Sequence, residues 1–329
     1  MTASRLLIKL SQRLFEQDAE QAEFCDRLLH PQPLHPCIIW CQPKPAPNPF
    51  SLEAALSWQP EWCDRLALGQ QPGKHPLHDQ GAFYCLDFSS VFAISVLQAI
   101  ARPISTAIDV CAAPGGKSIF AWRALQPQQL ISNEVIGKRI GALLSNLKRC
   151  QIQPAWITNL DSQVLAEQIP QTAQVVLVDA PCTGQSLIAK GGKAPGCFHP
   201  VTINNNANRQ KRILANSAQL VAGQGYLVYT TCTYSPEENE QVIRWLLERF
   251  PHFQPVPVPH LQAYQSHLAD FPCYRLFPQS GLGAGAFTVL LQNTAIAETQ
   301  PLPAAFLDQA KAIAPREGRT DVMLGKDLR

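Results

Sequence analysis

Strand–helix alternation predicts an α/β fold, a mostly parallel sheet with helices on both faces and a small N-terminal extension. Three observations carry it. From residue 104 onward, short apolar runs alternate with longer stretches of helical period. Those runs end on Asp109, Glu134, the neighbourhood of Asp161, Asp179 and Thr231-Cys232, and ligands in such sheets bind beyond the carboxyl ends of the strands. The third is the turn Asp109-Val110-Cys111-Ala112-Ala113-Pro114-Gly115-Gly116-Lys117-Ser118, set between the first run and a helix. A glycine turn there lets backbone approach a ligand and aims unpaired helix N–H groups at it.

The elements follow in order. Residues 4–29 hold Leu6, Leu7, Leu10, Leu14, Phe15, Phe24, Leu28 and Leu29 among charged side chains, the pattern of an amphipathic helix pair packed on the main domain. Asp18, Glu20, Glu23 and Asp26 argue against a membrane-surface role for it. Seven prolines between Pro31 and Pro49 predict an extended connector with one short strand at Cys37–Cys41. Ser51 to Leu56 reads as a capped short helix, and 57–80 as irregular. Asp87-Phe88-Ser89-Ser90 opens an apolar helix to Ile100, with either serine as its cap. Strands are expected at 104–109, 129–133, 155–159, 174–179 and 225–230. Helices are expected at 117–125, 137–150, 203–222 and 236–250. A helix near Ala304–Ala312, or a loosely ordered tail, closes the chain.

Composition bounds the partners. A net charge of +2 over 329 residues permits a local nucleic-acid patch without arguing for one. Eleven cysteines with no repeating spacing form no disulfide framework and suit a reducing cytoplasm. No apolar run reaches the length of a membrane span, and no signal peptide is read at the N-terminus. His35, Cys37 and Cys41 lack the second pair that a zinc site needs, so no metal is expected.

Three chemistries compete for the turn. A dinucleotide fold wants Gly-x-Gly-x-x-Gly, which is absent. A P-loop matches Gly116-Lys117-Ser118, but its first glycine falls on Cys111. The third is a turn for S-adenosylmethionine, with Asp109 facing the methionine end. Glu134, one unit later, suits ribose hydroxyls, against the bland reading of a solvated glutamate. Asp161 either contacts an adenine edge or caps the next helix. Val175–Asp179 would also suit a Walker B strand, but the Pro181-Cys182-Thr183-Gly184 that follows has no use in magnesium chemistry. Cys232 lies in Thr230-Thr231-Cys232-Thr233-Tyr234, just before a helix start, where a thiol pKa falls. Two cysteines on adjacent strand ends suit a soft nucleophile that adds to carbon 6 of a pyrimidine and activates carbon 5. Buried structural thiols are the alternative.

Taken together, Asp-Val-Cys-Ala-Ala-Pro-Gly-Gly-Lys, Asp-Ala-Pro-Cys-Thr-Gly and Thr-Thr-Cys-Thr-Tyr resemble the Sun/RsmB-type RNA (cytosine-5)-methyltransferases. Leu86-Asp87-Phe88-Ser89-Ser90 matches all but the first residue of that family's Gln-Asp-x-Ser-Ser segment. Arg275-Leu276-Phe277-Pro278 with Gly285-Ala286-Phe287 is similar to its Arg-x-x-Pro…Gly-Phe-Phe hairpin, one Phe being replaced by Ala286. The resemblance covers roughly residues 81–292. It implies a Rossmann-like methyltransferase domain over 81–293 with a C-terminal antiparallel hairpin, flanked by a helical and proline-rich region at 1–80 and a tail at 294–329. It implies that Cys111, Ala112, Ala113, Pro114, Gly115, Gly116, Lys117, Glu134, Asp161 and Asp179 line an S-adenosyl-L-methionine pocket. Cys232 would be the covalent nucleophile and Cys182 the thiol that assists release. Asp179 would also hold the cytosine through N3 and its amino group.

The expected substrate is RNA, ribosomal first and transfer RNA second, bound by a cytoplasmic monomer. Lys190, Lys193, Arg209, Lys211 and Arg212 are candidates for phosphates, while Lys138, Arg139, Lys148 and Arg149 read as an outer helix face. The readings from other classes are a non-catalytic RNA-binding or ribosome assembly factor on the same fold, a P-loop-like NTPase, and a small-molecule methyltransferase.

Overall fold

The computed structural model describes residues 3–313. The N-terminal pair is α1 (Arg5–Leu14) and α2 (Asp18–Leu29). Ser4 caps α1 by accepting from Leu7 N–H. Leu7, Leu10, Leu14, Phe24 and Leu28 pack not on the sheet but on Ala189, Tyr234 and Ala284. The pair thus braces the loops that follow Cys182 and Cys232.

A small antiparallel sheet comes next, ordered β2-β1-β3. It is built from β1 (Cys37–Trp40), β2 (Cys63–Arg65) and, after the single-turn α3 (Pro76–Asp79), β3 (Phe83–Cys85). Two expectations fail here. Residues 51–56 form no helix: Leu52 bridges Leu66 in extended conformation, and Glu53 N–H donates to Arg65 C=O. The stretch 57–80 is not irregular either, since β2 buries Cys63 and Asp64. The carboxylate of Asp64 is held by Trp40 Nε1 at 2.6 Å and Lys44 Nζ at 2.8 Å. β3 completes this sheet beyond residue 80, where the boundary was expected.

Helix α4 (Phe88–Ile94) is capped by Asp87, which accepts from Ser89 N–H at 3.0 Å; neither serine is its cap. Ser89 Oγ instead accepts from Gly285 N–H at 3.0 Å and ties the helix to the C-terminal hairpin.

The main sheet follows as β4 (Thr106–Asp109), α5 (Gly116–Leu125), β5 (Gln129–Asn133), α6 (Gly137–Arg149), β6 (Ala155–Thr158), α7 (Ser162–Gln168) and β7 (Ala173–Asp179). After the short α8 (Ser186–Ala189) come α9 (Pro200–Leu220), β8 (Val221–Thr231) and α10 (Glu240–Arg249). Then come β9 (Phe253–Pro255), β10 (Tyr274–Leu276), β11 (Ala286–Asn293), α11 (Ala304–Gln309) and β12 (Lys311–Ala312). The order is β10-β11-β8-β7-β4-β5-β6-β12, with β9 against β11. β8, β7, β4, β5 and β6 are parallel, and the added edge strands are antiparallel. The expected hairpin is β10 with β11.

Alternation along each strand feeds two cores. Ala107, Val175 and Leu177 face one core with Ile119 and Phe120 of α5 and Leu143 and Leu147 of α6. Ile108, Val176 and Val178 face the other with Leu165 of α7, Leu214 of α9 and Val242 of α10. The chain runs outward from β4 to β6 and returns at β7 beside β4. That reversal opens a crevice at the carboxyl ends of β4 and β7, the usual ligand site of such sheets. Among the described residues, no helix is long and apolar enough to cross a membrane, and no His, Cys, Asp and Glu group could hold a metal ion.

Candidate active site

The crevice is built first by the turn after β4. Asp109, expected to face a cofactor, is buried instead. Its Oδ2 accepts from Ser118 Oγ at 2.6 Å and its Oδ1 from Cys111 N–H at 3.3 Å. Burial pushes its carboxyl up to about 7, against the hydrogen bond from Ser118. Asp109 therefore shapes the turn from below. Gly115 adopts φ +113° as N-cap of α5 and offers no side-chain cap, leaving the first helix N–H groups to a ligand. A Cβ on Gly116 would lie 2.7 Å from the Leu86 side chain and 2.9 Å from the Tyr84 ring, so any larger residue would have to displace both side chains at this helix start.

Glu134 directly follows β5 and is 2% exposed. Its Oε1 accepts from Ile136 N–H at 2.9 Å. Its Oε2 lies 3.0 Å from Arg139 Nη1 but has no partner in hydrogen-bond geometry. Arg139, read from sequence as an outer-face residue, also donates to Ala113 C=O. It thus joins the turn to Glu134 across the crevice. Arg149 likewise turns inward, donating to His78 C=O and Phe83 C=O, whereas Lys138 and Lys148 are exposed. Asp161 caps α7, its Oδ1 accepting from Gln163 N–H at 2.9 Å. Of its two expected roles the cap is the one observed.

The second half of the site lies on the ends of β7 and β8. Lys117 reaches from the turn to Asp179, with Nζ 2.7 Å from Oδ2. Asp179 Oδ1 accepts from Thr230 Oγ1 at 3.0 Å. Burial opposes the Lys117 charge, but the Asp179 carboxylate prevails and raises its pKa. Asp179 pairs with Thr230 in the parallel register of β7 and β8, which brings the residues after each strand together. Cys182 Sγ and Cys232 Sγ are 3.3 Å apart. Cys182 is half-buried and Cys232 exposed. The hydrogen bond from Cys182, aided by Lys117, brings the Cys232 thiol down to about 7. The same bond and burial push Cys182 well up. One sulfur is thus prepared as a thiolate and the other keeps its proton.

Local sequence explains this placement. Pro181, two residues after β7, removes a backbone donor where the ladder would continue, and Pro236 opens the single turn that follows the Cys232 loop. Gln185, fully buried, accepts from Tyr234 and Ser235 N–H through one amide oxygen, at 2.8 and 3.1 Å. Arg275, quoted above for its motif, forms a buried ion pair with Glu240 and donates to Tyr234 C=O at 2.9 Å. Gln185 carried no sequence signal, because its partners lie across a sheet crossover. Of the basic candidates, Lys190 pairs with Asp87 at 2.9 Å. Arg212 is 3.9 Å from Asp161. Lys211 sits over the Trp245 ring, and Arg209 donates to Asn206 at 2.6 Å. Lys193 is exposed.

With this geometry in hand, a family model described as 16S rRNA methyltransferase RsmB/F matches residues 100–292. The ribosomal RNA small subunit methyltransferase F of Cronobacter sakazakii is 32% identical over 256 residues, 75% of this chain and 53% of that protein. The protein of the same name from Klebsiella pneumoniae is 30% identical over 269 residues, 77% of this chain and 56% of that one. The chain therefore spans about half the length of the curated relatives it matches. A methyltransferase homolog protein from Pyrococcus horikoshii has TM-score 0.67 at 20% identity, over 88% of this chain and 99% of that one. NSun6 from the same organism, solved with SFG, has TM-score 0.71 at 17% identity, over 89% and 99%. These likenesses establish the fold.

Proposed function

The chain belongs to the 16S rRNA methyltransferase RsmB/F family, and on that premise we propose that it methylates carbon 5 of a cytosine in ribosomal RNA through a covalent bond to Cys232. The observation that carries this reading is the 3.3 Å contact of two thiols at adjacent strand ends, beside the Lys117–Asp179 pair. Family membership removes the nucleotide hydrolase reading, and Lys117, turned to Asp179, has no phosphate role left to it.

S-adenosylmethionine is the cofactor of this family and supplies an electrophilic methyl group when bound. The residues present fit it. Glu134 Oε2 is a buried acceptor without a hydrogen-bond donor, the partner that a ribose hydroxyl needs. The uncapped start of α5 suits a carboxylate. Cys111 to Lys117, Glu134, Asp161 and Asp179 are the residues we assign to the pocket.

On the RNA side, Cys232 sulfur adds to carbon 6 of the base. The electron pair of the carbon 5–carbon 6 bond becomes available at carbon 5, where it takes the methyl group. Solvent water at the exposed edge beside Cys232 takes the carbon-5 proton, the C–H electron pair re-forms the carbon 5–carbon 6 double bond, and the carbon–sulfur bond breaks, returning its electron pair to Cys232. Cys182 donates a hydrogen bond to that departing thiolate, which eases release. Asp179 accepts from the amino edge or protonated N3 of the ring and favours its electrophilic form. An exposed Cys232 requires the cytosine to be unpaired or flipped out.

The test is a denaturing gel of wild type, Cys182→Ala and Cys232→Ala with S-adenosylmethionine and in-vitro transcribed small-subunit ribosomal RNA, with transfer RNA in parallel. A slow-migrating protein–RNA adduct with Cys182→Ala is the expected result. An adduct with Cys232→Ala instead would exchange the two roles. No adduct in any lane, with no cofactor binding, would favour a non-catalytic assembly factor.

A further inference from the structure

The reaction above leaves one buried carboxylate beside the thiols unused. Glu238 sits on a single turn after Cys232 and exposes none of its surface. Its Oε1 accepts from Thr183 N–H at 2.9 Å and from Gln210 Nε2 at 3.0 Å. Its Oε2 accepts from Thr183 Oγ1 at 2.6 Å and, at longer range, from Thr233 Oγ1 at 3.4 Å. The two threonine hydroxyls are themselves 2.7 Å apart. Thr183 follows Cys182 and Thr233 follows Cys232. The Gln210 amide that donates to Glu238 also donates to Pro181 C=O at 3.0 Å, just before Cys182.

We propose that Glu238 is a positioning residue that fastens the Cys182 loop onto the Cys232 loop and so keeps the two sulfurs in contact. This rests on the roles given above to Cys232 and Cys182. The two loops share no regular pairing beyond Asp179 and Thr230. One backbone bond, Ser186 N–H to Cys232 C=O at 3.2 Å, joins them further on, and the rest is side-chain bonding, in which Glu238 ties together the residues that directly follow the two thiols. Burial raises the Glu238 pKa while Thr183, Gln210 and Thr233 pull it back, so the site tolerates a costly group. The return is a carboxylate with four lone-pair positions, enough to collect donors from both loops and α9 at once. Its charge also faces Cys182. After the hydrogen bond to Cys232 and burial, it adds to the forces that keep the Cys182 proton in place.

The experiment compares Glu238→Asp and Glu238→Gln with wild type and Cys182→Ala, on in-vitro transcribed small-subunit ribosomal RNA. Single-turnover methyl transfer, adduct on denaturing gels and S-adenosylmethionine affinity are measured together. Asp keeps the charge but falls one methylene short of Thr233. It is expected to slow transfer about 100-fold, the scale of a displacement near 1 Å. It should also accumulate adduct as Cys182→Ala does, with cofactor affinity within about twofold. Gln keeps the reach and is expected to remain within about tenfold of wild type without adduct. Wild-type transfer and release by Glu238→Asp would overturn the proposal. So would a Gln variant worse than Asp, or a loss of cofactor binding that matches the loss of transfer. If Cys182→Ala itself forms no adduct, the covalent reading fails and the proposal with it. If Cys182→Ala traps adduct while Glu238→Asp turns over normally, the positioning role alone fails.

Discussion

Cys182 with Cys232 and Cys41 with Cys150 are both pairs of interacting thiols, and in both the neighbouring thiol raises one partner and lowers the other. Their surroundings differ. Cys150 closes α6 and is 1% exposed within the apolar core, with Cys41 half-buried at the end of β1. Cys232 is exposed at the carboxyl edge of the sheet, with Lys117 and Asp179 beside it. A neighbouring thiol is enough to favour ionisation of its partner. It is not enough to make a nucleophile, which also needs an open approach and a charge that stabilises it.

The comparison is most severely tested by removing each sulfur. Cys232→Ala is expected to lower single-turnover transfer by about 10⁴-fold or more, read as tritium incorporated into ribosomal RNA. Lys117→Met should lower it by about 100-fold. Removal of a cation raises the Cys232 pKa, so its alkylation by iodoacetamide, expected to have a midpoint near 7 in wild type, should shift to higher pH and slow at pH 7. A midpoint that stays near 7 in Lys117→Met would assign the lowered pKa to Cys182 alone. Glu134→Gln should weaken S-adenosylmethionine binding by about tenfold, one hydrogen bond to a charged acceptor, measured calorimetrically with the melting temperature nearly unchanged. Cys150→Ala comes last, with transfer within about twofold and a melting temperature lower by about 2–4 °C. A large loss of transfer there would abolish the distinction between the two pairs.

Not every short element announces itself in one dimension. The parallel strands were legible because short, largely apolar runs, most clearly Val175–Val178 before Asp179, end on a polar residue, and the helices between them because their period repeats within each. β2 and β3, of three residues each, lie among prolines and turns and offer too few positions for alternation to show. Residues 51–56 looked like a helix with a serine cap, but the open edge of β2 claimed Leu52 through Leu66. Tertiary pairing there overrode local preference. Arg139 was read as an outer-face residue and is indeed exposed, yet its long side chain also reaches back from the start of α6 to Glu134 and Ala113 C=O.

The site divides along the same line. The turn at Cys111–Lys117, Glu134, Asp179, Cys182 and Cys232 could be named from sequence, because each ends a strand and strand ends of a parallel sheet share one edge. The fold class was determined at that level too, by periodicity that every segment carries within itself. Only the tertiary structure decided which of these residues meet. The Cys182–Cys232 contact and the Thr183–Glu238–Thr233 tie join residues about 50 positions apart. Lys117 finds Asp179 only because β4 and β7 are neighbours. Such contacts depend on the strand order and on hydrogen-bond geometry of a few tenths of an ångström, and no local pattern of apolar and polar residues encodes either.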